Sequence, residues 1–126
     1  MNKKVLVIED DSLLQDMLAQ QLTKDAWVVA YAKEGDKALQ LARSEKPDII
    51  LLDLMLPGVS GYDILTELRR DPDLQKVPVI ILSNLGQQED IDKGLKLGAT
   101  DFMIKSNFTL DEVSAKMKGV LEKVAG

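Results

Sequence analysis

The sequence contains no cysteine and no histidine. Without cysteine the protein can form neither disulfides nor thiolate metal sites. Without histidine it lacks the commonest general base and transition-metal ligand. Any site must therefore be built from oxygens, amines and amides. The patterns G-x-x-x-x-G-K-S/T and G-x-G-x-x-G are also missing, which disfavours nucleotide enzymes.

Long apolar runs are missing too. The first run, residues 5–8, stops at Glu9 and is too short for a signal sequence or a membrane span. We therefore expect a cytoplasmic protein with no membrane contact. Acidic residues outnumber basic ones by 21 to 16, and a net charge of -5 gives no general attraction to phosphate backbones. We expect no direct nucleic-acid binding by this domain, although a covalently attached partner domain could still bind DNA.

The rest of the composition is that of an ordinary globular protein. The chain has 126 residues, of which 45% are hydrophobic and 29% charged, with no internal repeat and no low-complexity tract. This length allows one sizeable core but not two. We expect one domain covering residues 1–126.

Short apolar runs alternate with helical patterns along the chain. Runs at 5–8, 27–31, 49–52, 79–82 and 102–104 predict five strands, each followed by a helix. Five β-α repeats with right-handed crossovers predict an α/β fold, a doubly wound parallel sheet with helices on both faces. The first, third and fourth runs are the richest in apolar residues, so they should be interior strands, which matches the order 2-1-3-4-5.

Two predicted helices have apolar faces that the structure can test. In the first, residues 12–24, the apolar side chains at near-helical spacing are those of Leu14, Met17, Leu18 and Leu22. In the weaker fourth helix, about residues 87–97, we expect Ile91 and Leu95 to point inward, and Gly98 to end the helix.

The third apolar run ends on a carboxylate, Asp53, ahead of a turn containing Pro57 and Gly58. An isolated aspartate at a strand end is more often a plain loop residue than a functional one. In a doubly wound sheet, however, ligands bind beyond the carboxyl ends of the strands, where the strand order reverses. Asp53 is well placed for that crevice.

Polar residues also follow the other strands, and all should meet at the same edge of the sheet. They are Glu9, Asp10 and Asp11 after the first strand, Ser83 and Asn84 after the fourth, and Lys105 after the fifth. Crowded carboxylates repel one another and raise their own pKa values unless a cation offsets them. With only oxygen ligands available, Mg²⁺ or Mn²⁺ is expected, and an incomplete cage favours Mg²⁺ over Ca²⁺. A simpler alternative is that Asp10, Asp11 or Ser12 caps the following helix.

These residue types together could carry out phosphoryl transfer. A carboxylate such as Asp53 can attack phosphorus and become an acyl phosphate, a reaction that needs positioning and charge neutralisation more than proton transfer. Lys105 would supply a positive charge and Ser83 a hydrogen bond to a phosphoryl oxygen. Taken alone, Ser83 could be a turn residue and Lys105 an ordinary surface lysine. Their joint placement favours the functional interpretation.

With these features the chain resembles, over its whole length, the receiver domain of two-component response regulators, chemotaxis regulators among them. The matching pieces are the acidic pair after VLVI, the segment DLMLPGVSG, the run PVIILS ending at Ser83, and GATDFMIK ending at Lys105. The resemblance implies a flavodoxin-like fold in which Asp53 accepts a phosphoryl group from a phosphohistidine. The donor would be a sensor histidine kinase or a phosphotransfer protein. Mg²⁺ would be held by Glu9, Asp10, Asp53 and the backbone carbonyl of Met55.

The resemblance also implies a switch. Ser83 would move toward the phosphoryl group and Phe102 would turn inward, changing the surface of the fourth helix, fifth strand and fifth helix. That surface would control a downstream protein or a fused effector, and phosphorylation could bring two copies together. Such a domain is not an enzyme beyond its own phosphorylation and dephosphorylation.

One departure and two alternatives stand beside this interpretation. The family usually has a cis proline after the lysine; here Ser106 follows Lys105, and we expect a trans bond because a non-proline cis bond costs about 2.5–4 kcal/mol. An aspartyl-nucleophile phosphatase commonly carries a second Asp two residues after the first, where this chain has Met55. A pseudo-receiver that only binds partners is disfavoured by the intact acids, Asp53 and Lys105.

Overall fold

The computed structural model describes residues 2–125, with side chains up to residue 123. The elements in chain order are β1 (Lys4–Ile8), α1 (Ser12–Lys24), β2 (Val28–Ala32), α2 (Gly35–Glu45), β3 (Ile49–Leu52), α3 (Gly61–Arg70), β4 (Val79–Ser83), α4 (Gln88–Lys96), β5 (Asp101–Ile104), a one-turn 3₁₀ helix (Lys105–Asn107) and α5 (Leu110–Ala125).

The five strands form one parallel sheet in the order β2-β1-β3-β4-β5. This confirms the predicted doubly wound, flavodoxin-like α/β fold. The register aligns Ile8 with Leu52, Leu52 with Ile81, and Ser83 with Ile104. Because all strands run the same way, the residues that follow them collect at one edge of the sheet.

The sheet has a core layer on each face. One layer contains α2 and α3, with Ala38, Ile64 and Leu68 packed against side chains of the central strands. The other contains α1 and α5, with Leu18 and Met117 packed against the alternate strand residues. The strands β1, β3 and β4 are buried on both faces, as their continuous apolar runs predict.

Local signals set two helix ends, and the end at Gly98 is the one predicted from the sequence. The Thr109 hydroxyl accepts from the Glu112 backbone N–H at 3.2 Å, while Glu112 Oε1 accepts from the Thr109 N–H at 3.1 Å. This reciprocal capping box starts α5. Gly98 follows α4 with φ +110°, a left-handed conformation that glycine adopts without strain.

The buried face of α1 differs from the predicted one. Met17 is 44% exposed, whereas Gln15 is 3% exposed and lies with Leu18 and Leu22 on the buried face. The prediction considered only the spacing of apolar residues, so it could not identify a buried glutamine.

The prediction for α4 is wrong at one position. Leu95 is 44% exposed, Ile91 is half-buried, and the buried residue of this helix is Gly94. The backbone at Gly94 comes so close to the sheet that an added Cβ would lie 2.6 Å from Ile81 Cδ1. A glycine therefore lets α4 approach the sheet, and this rotates Leu95 toward solvent.

Among the described residues, no helix has both the length and the apolar character needed to cross a lipid bilayer.

Candidate functional site

Asp53 lies directly beyond β3 and is 5% exposed. Its backbone N–H donates to the Ile8 carbonyl at 3.0 Å, which fixes it beside the end of β1. Its Oδ1 accepts from the Met55 N–H at 3.3 Å, and Lys105 Nζ lies 3.3 Å from its Oδ2. Both oxygens of the carboxylate therefore have partners, and the side chain is held in one orientation.

Glu9 shares the same lysine. Lys105 Nζ lies 2.7 Å from Glu9 Oε1, and the Asp11 N–H donates to Glu9 Oε2 at 3.1 Å. Burial raises the pKa of the Glu9 carboxyl to about 7, although the hydrogen bond from Lys105 acts in the opposite direction. Burial alone would lower the pKa of Lys105, but its hydrogen bond to Glu9 and the nearby Asp53 carboxylate give a net increase. One ammonium group thus serves two buried carboxylates.

Three acids converge at this edge. Each of Glu9, Asp10 and Asp53 offers a carboxylate oxygen, and these oxygens lie within 4.8 Å of one another. Glu9 and Asp53 are buried, while Asp10 is exposed. The donor set consists entirely of hard carboxylate oxygens. This cluster could therefore bind a metal ion, and its chemistry fits a divalent cation.

Asp11 has a different role. Its side chain accepts from the backbone N–H groups of Leu13 and Leu14 at the start of α1, so it is the N-cap of that helix. The capping alternative considered for the acidic run is thus confirmed for Asp11, which leaves Glu9 and Asp10 for the cluster.

The two residues predicted to switch occupy neighbouring strands. Ser83 ends β4, is fully buried, and its Oγ accepts from the Leu85 N–H at 3.3 Å. Phe102 lies in β5, is half-buried, and packs against the core layer that contains Ile81. Phe102 also lies close to Gly94 of α4, so it connects β5 with that helix.

The loop after β5 holds Lys105 without a proline. No cis peptide bond occurs among the described residues, so the Lys105–Ser106 bond is trans, as expected. Lys105 begins the one-turn 3₁₀ helix, and its side chain reaches back to the two acids. Met55 carries a side chain that is 61% exposed; coordination by its backbone carbonyl remains a prediction.

One contact at this site escaped the sequence interpretation. The Gln15 side chain donates from Nε2 to the backbone carbonyl of Glu9 at 3.2 Å. A signal was present, because Gln15 precedes Leu18 by three residues and Leu22 by seven and so shares their helical face. A polar side chain at a buried position is unfavourable unless it forms a hydrogen bond inside the protein.

Comparison with known proteins agrees with this geometry. The family model "Response regulator receiver domain" matches residues 5–118. Among solved structures, the receiver domain of the Francisella response regulator 1452 is similar, with a TM-score of 0.90 and 31% identity over 98% of this chain and 99% of that one. The BeF3-activated N-terminal receiver domain of Klebsiella pneumoniae RstA has a TM-score of 0.87 and 30% identity, covering 94% and 97% of the two chains.

Curated relatives are longer proteins. The alkaline phosphatase synthesis transcriptional regulatory protein PhoP of Bacillus subtilis is 39% identical over 98% of this chain and 50% of its own length. The phosphate regulon transcriptional regulatory protein PhoB of Escherichia coli is 33% identical over 99% of this chain and 54% of its own length. The chain thus spans about half the length of these relatives. It belongs to the response regulator receiver domain family, whose members are phosphorelay signalling switches rather than metabolic enzymes.

Proposed function

We propose that Asp53 is the phosphoacceptor of this receiver domain and takes its phosphoryl group from a phosphohistidine on a histidine kinase or a phosphotransfer protein. The observation that carries the proposal is the position of its carboxylate. Asp53 lies at the carboxyl edge of the sheet, 3.3 Å from Lys105 and within 4.8 Å of oxygens of Glu9 and Asp10.

The acid cluster would hold the metal. Glu9, Asp10 and Asp53, with the backbone carbonyl of Met55, would bind Mg²⁺, with Mn²⁺ as a substitute. When bound, the ion would neutralise negative charge on the carboxylates and on the incoming phosphoryl oxygens. The support is the oxygen-only donor set and the burial of two of the three acids.

The chain's own residues would carry the transfer. An Asp53 carboxylate oxygen would attack phosphorus, the bond from phosphorus to the histidine nitrogen would break, and that nitrogen would leave with the electron pair. Lys105 Nζ would neutralise charge on the phosphoryl group, and the Ser83 hydroxyl would donate to one of its oxygens. Hydrolysis of the resulting acyl phosphate would return Asp53. The domain would thus catalyse only its own phosphorylation and dephosphorylation.

The output would follow from a rearrangement of Ser83 and Phe102. Ser83 is buried, and its Oγ now accepts from Leu85; drawing the hydroxyl toward a phosphoryl group would free space that Phe102 could enter. Because Phe102 lies close to Gly94, its motion would change the surface formed by α4, β5 and α5. This discrete rearrangement would be driven by the new charged group.

The surface would control an effector. The similar PhoP and PhoB proteins are named as transcriptional regulators, so we propose a DNA-binding effector, either fused to this domain or as a separate downstream protein. DNA contact would belong to that effector and not to residues 1–126, which would form one receiver domain. Dimerisation on phosphorylation and a cytoplasmic location complete the proposal.

Intact mass spectrometry tests the phosphoacceptor directly. The protein is incubated with Mg²⁺ and a small acyl phosphate donor, and we expect one phosphoryl adduct in the wild type and none in Asp53→Asn. Asp71→Asn is the matched control, since Asp71 pairs with Arg43 outside the acid cluster, and it should form the adduct normally. An adduct that persists in Asp53→Asn would remove Asp53 from its role. A wild type that forms none would favour a phosphorylation-independent interaction module.

A further inference from the structure

Gln15 is a buried amide on a helix face that otherwise carries leucine. It is 3% exposed, and the other buried residues of α1 are Leu18 and Leu22. An amide in such a place is unfavourable unless its hydrogen bonds are made inside the protein. The identity of its partner therefore indicates what the residue does.

The partner is the backbone carbonyl of Glu9, which accepts from Gln15 Nε2 at 3.2 Å. Glu9 is one residue beyond β1, whose pairing with both neighbouring strands ends at Ile8. Within residues 2–125, no backbone N–H donates to this carbonyl. Gln15 thus supplies a hydrogen bond that the sheet does not provide.

This carbonyl belongs to the peptide group that joins Glu9 to Asp10. The Glu9 side chain is restrained on its own account by Lys105 and by the Asp11 N–H. The described part of the chain contains no hydrogen bond to the Asp10 side chain, which is exposed. The peptide group that Gln15 holds places the Asp10 Cα, from which this carboxylate extends.

We propose that Gln15 is a positioning residue for the acidic pair. It fixes the Glu9–Asp10 peptide so that the Asp10 carboxylate, beside the independently restrained Glu9, can converge with Asp53 on a divalent cation. This inference rests on the proposed function, in which these acids hold Mg²⁺. Loss of an outer partner of a metal ligand typically lowers metal affinity by about 10- to 100-fold. Since Gln15 acts through the backbone, we expect the lower end, about tenfold.

Gln15→Met tests the proposal because methionine has a similar length and no donor. Mg²⁺ affinity is measured by titrating the ¹⁵N-labelled protein and following the Asp10 and Asp11 amide signals. The rate of Asp53 phosphorylation by a small acyl phosphate is measured in parallel against Mg²⁺ concentration. We expect the Mg²⁺ dissociation constant and the half-saturating Mg²⁺ concentration to rise about tenfold. The rate at saturating Mg²⁺ should stay within about twofold of wild type, since the reacting groups are intact.

Leu18→Ala is the matched control on the same face of α1, because it lowers stability without removing the donor to Glu9. It should keep the wild-type half-saturating concentration. An unchanged Mg²⁺ affinity in Gln15→Met would overturn the proposal. An equal shift in Leu18→Ala would overturn it too, since affinity would then follow helix stability.

A measurement on the wild type covers the case in which Gln15→Met does not fold. A scalar coupling across the hydrogen bond from Gln15 Nε2 to the Glu9 carbonyl carbon supports the proposal, and its absence in the Mg²⁺-bound protein overturns it. The wild type also separates this inference from the proposed function. If it binds Mg²⁺ and is phosphorylated at Asp53 while Gln15→Met behaves identically, only the role of Gln15 fails. If it does neither, both fail.

Discussion

Helices α1 and α4 both begin near the edge of the sheet that carries the acid cluster, yet they are attached to the protein differently. The Asp11 side chain caps α1, which buries Gln15, Leu18 and Leu22. In contrast, α4 has no side-chain hydrogen bond at its N-cap, and within the described part of the chain it buries Gly94 alone. Apolar burial anchors the first helix far more strongly than the second.

Polar contacts with α3 partly compensate for the small apolar surface that α4 buries, because they also hold this helix in place. The Tyr62 hydroxyl donates to the Asp90 carbonyl at 3.2 Å, and Lys93 Nζ lies 4.3 Å from the centre of the Tyr62 ring. A cation-π contact at a partly exposed site contributes only about 0.5–1 kcal/mol. The helix that follows the acid cluster is thus firmly docked, whereas we expect α4, part of the proposed output surface, to move at lower free-energy cost.

The largest expected effect is on the free energy of unfolding when an apolar side chain is truncated in each of the two helices. Leu18→Ala removes a fully buried side chain and should lower the free energy of unfolding by about 2–5 kcal/mol. Ile91→Ala removes a half-buried one and should cost less than about 1.5 kcal/mol. Urea unfolding at constant Mg²⁺ concentration measures both. Similar losses in the two variants would mean that α4 is anchored as firmly as α1.

A smaller effect is expected at the point where α4 meets the sheet. A Cβ at Gly94 would lie 2.6 Å from Ile81 Cδ1 and 3.3 Å from Phe102 Cδ2. Gly94→Ala should therefore displace α4 and destabilise the protein by roughly 1 kcal/mol net, because overpacking exceeds the gain in helix propensity. Hydrogen exchange of α4 amides should become faster.

Gly119→Ala in α5 is the control for that variant. An added Cβ meets nothing within 4 Å there, so this substitution should stabilise the protein by about 0.5–1 kcal/mol through helix propensity alone. If Gly94→Ala is also stabilising, the close approach of α4 to the sheet does not constrain the helix.

The smallest effect is expected at the contact between α3 and α4. Tyr62→Phe removes the hydrogen bond to the Asp90 carbonyl and should cost about 0.5–1 kcal/mol. The loss should appear as faster amide exchange confined to the first turn of α4. Tyr31→Phe, at a tyrosine that is 52% exposed on the edge strand β2, should leave α4 exchange unchanged. Equal exchange in the two variants would exclude Tyr62 as a restraint on α4.

Much of the acid cluster was predictable because strand direction alone determines which residues meet at this edge of the sheet. Glu9, Asp53 and Lys105 each follow an apolar run, and parallel strands bring such residues to one edge whatever the details of packing. Asp11 could not be assigned by the same argument, since an acid in that position can cap a helix or bind a metal. Its hydrogen bonds to Leu13 and Leu14 decide for capping.

Helix faces were less predictable. Spacing placed Met17 and Leu95 inward, yet both are 44% exposed. Spacing defines an apolar stripe only to within the width of one side chain, and the neighbouring elements then set the rotation of the helix. At α4 the close approach of Gly94 to Ile81 sets it. At α1 the hydrogen bond from Gln15 to Glu9 contributes.

By itself, the order of apolar runs and polar strand ends determined the parallel sheet, its strand order and the edge at which the acids meet. Those features depend on chain direction and on the burial of contiguous apolar residues. Both can be read directly from the linear sequence. Tertiary structure alone decided that Lys105 bridges two carboxylates and that Gln15 binds the carbonyl between two acids. These contacts join residues whose distance is set by how the helices and loops dock against the sheet, and no local pattern encodes that distance.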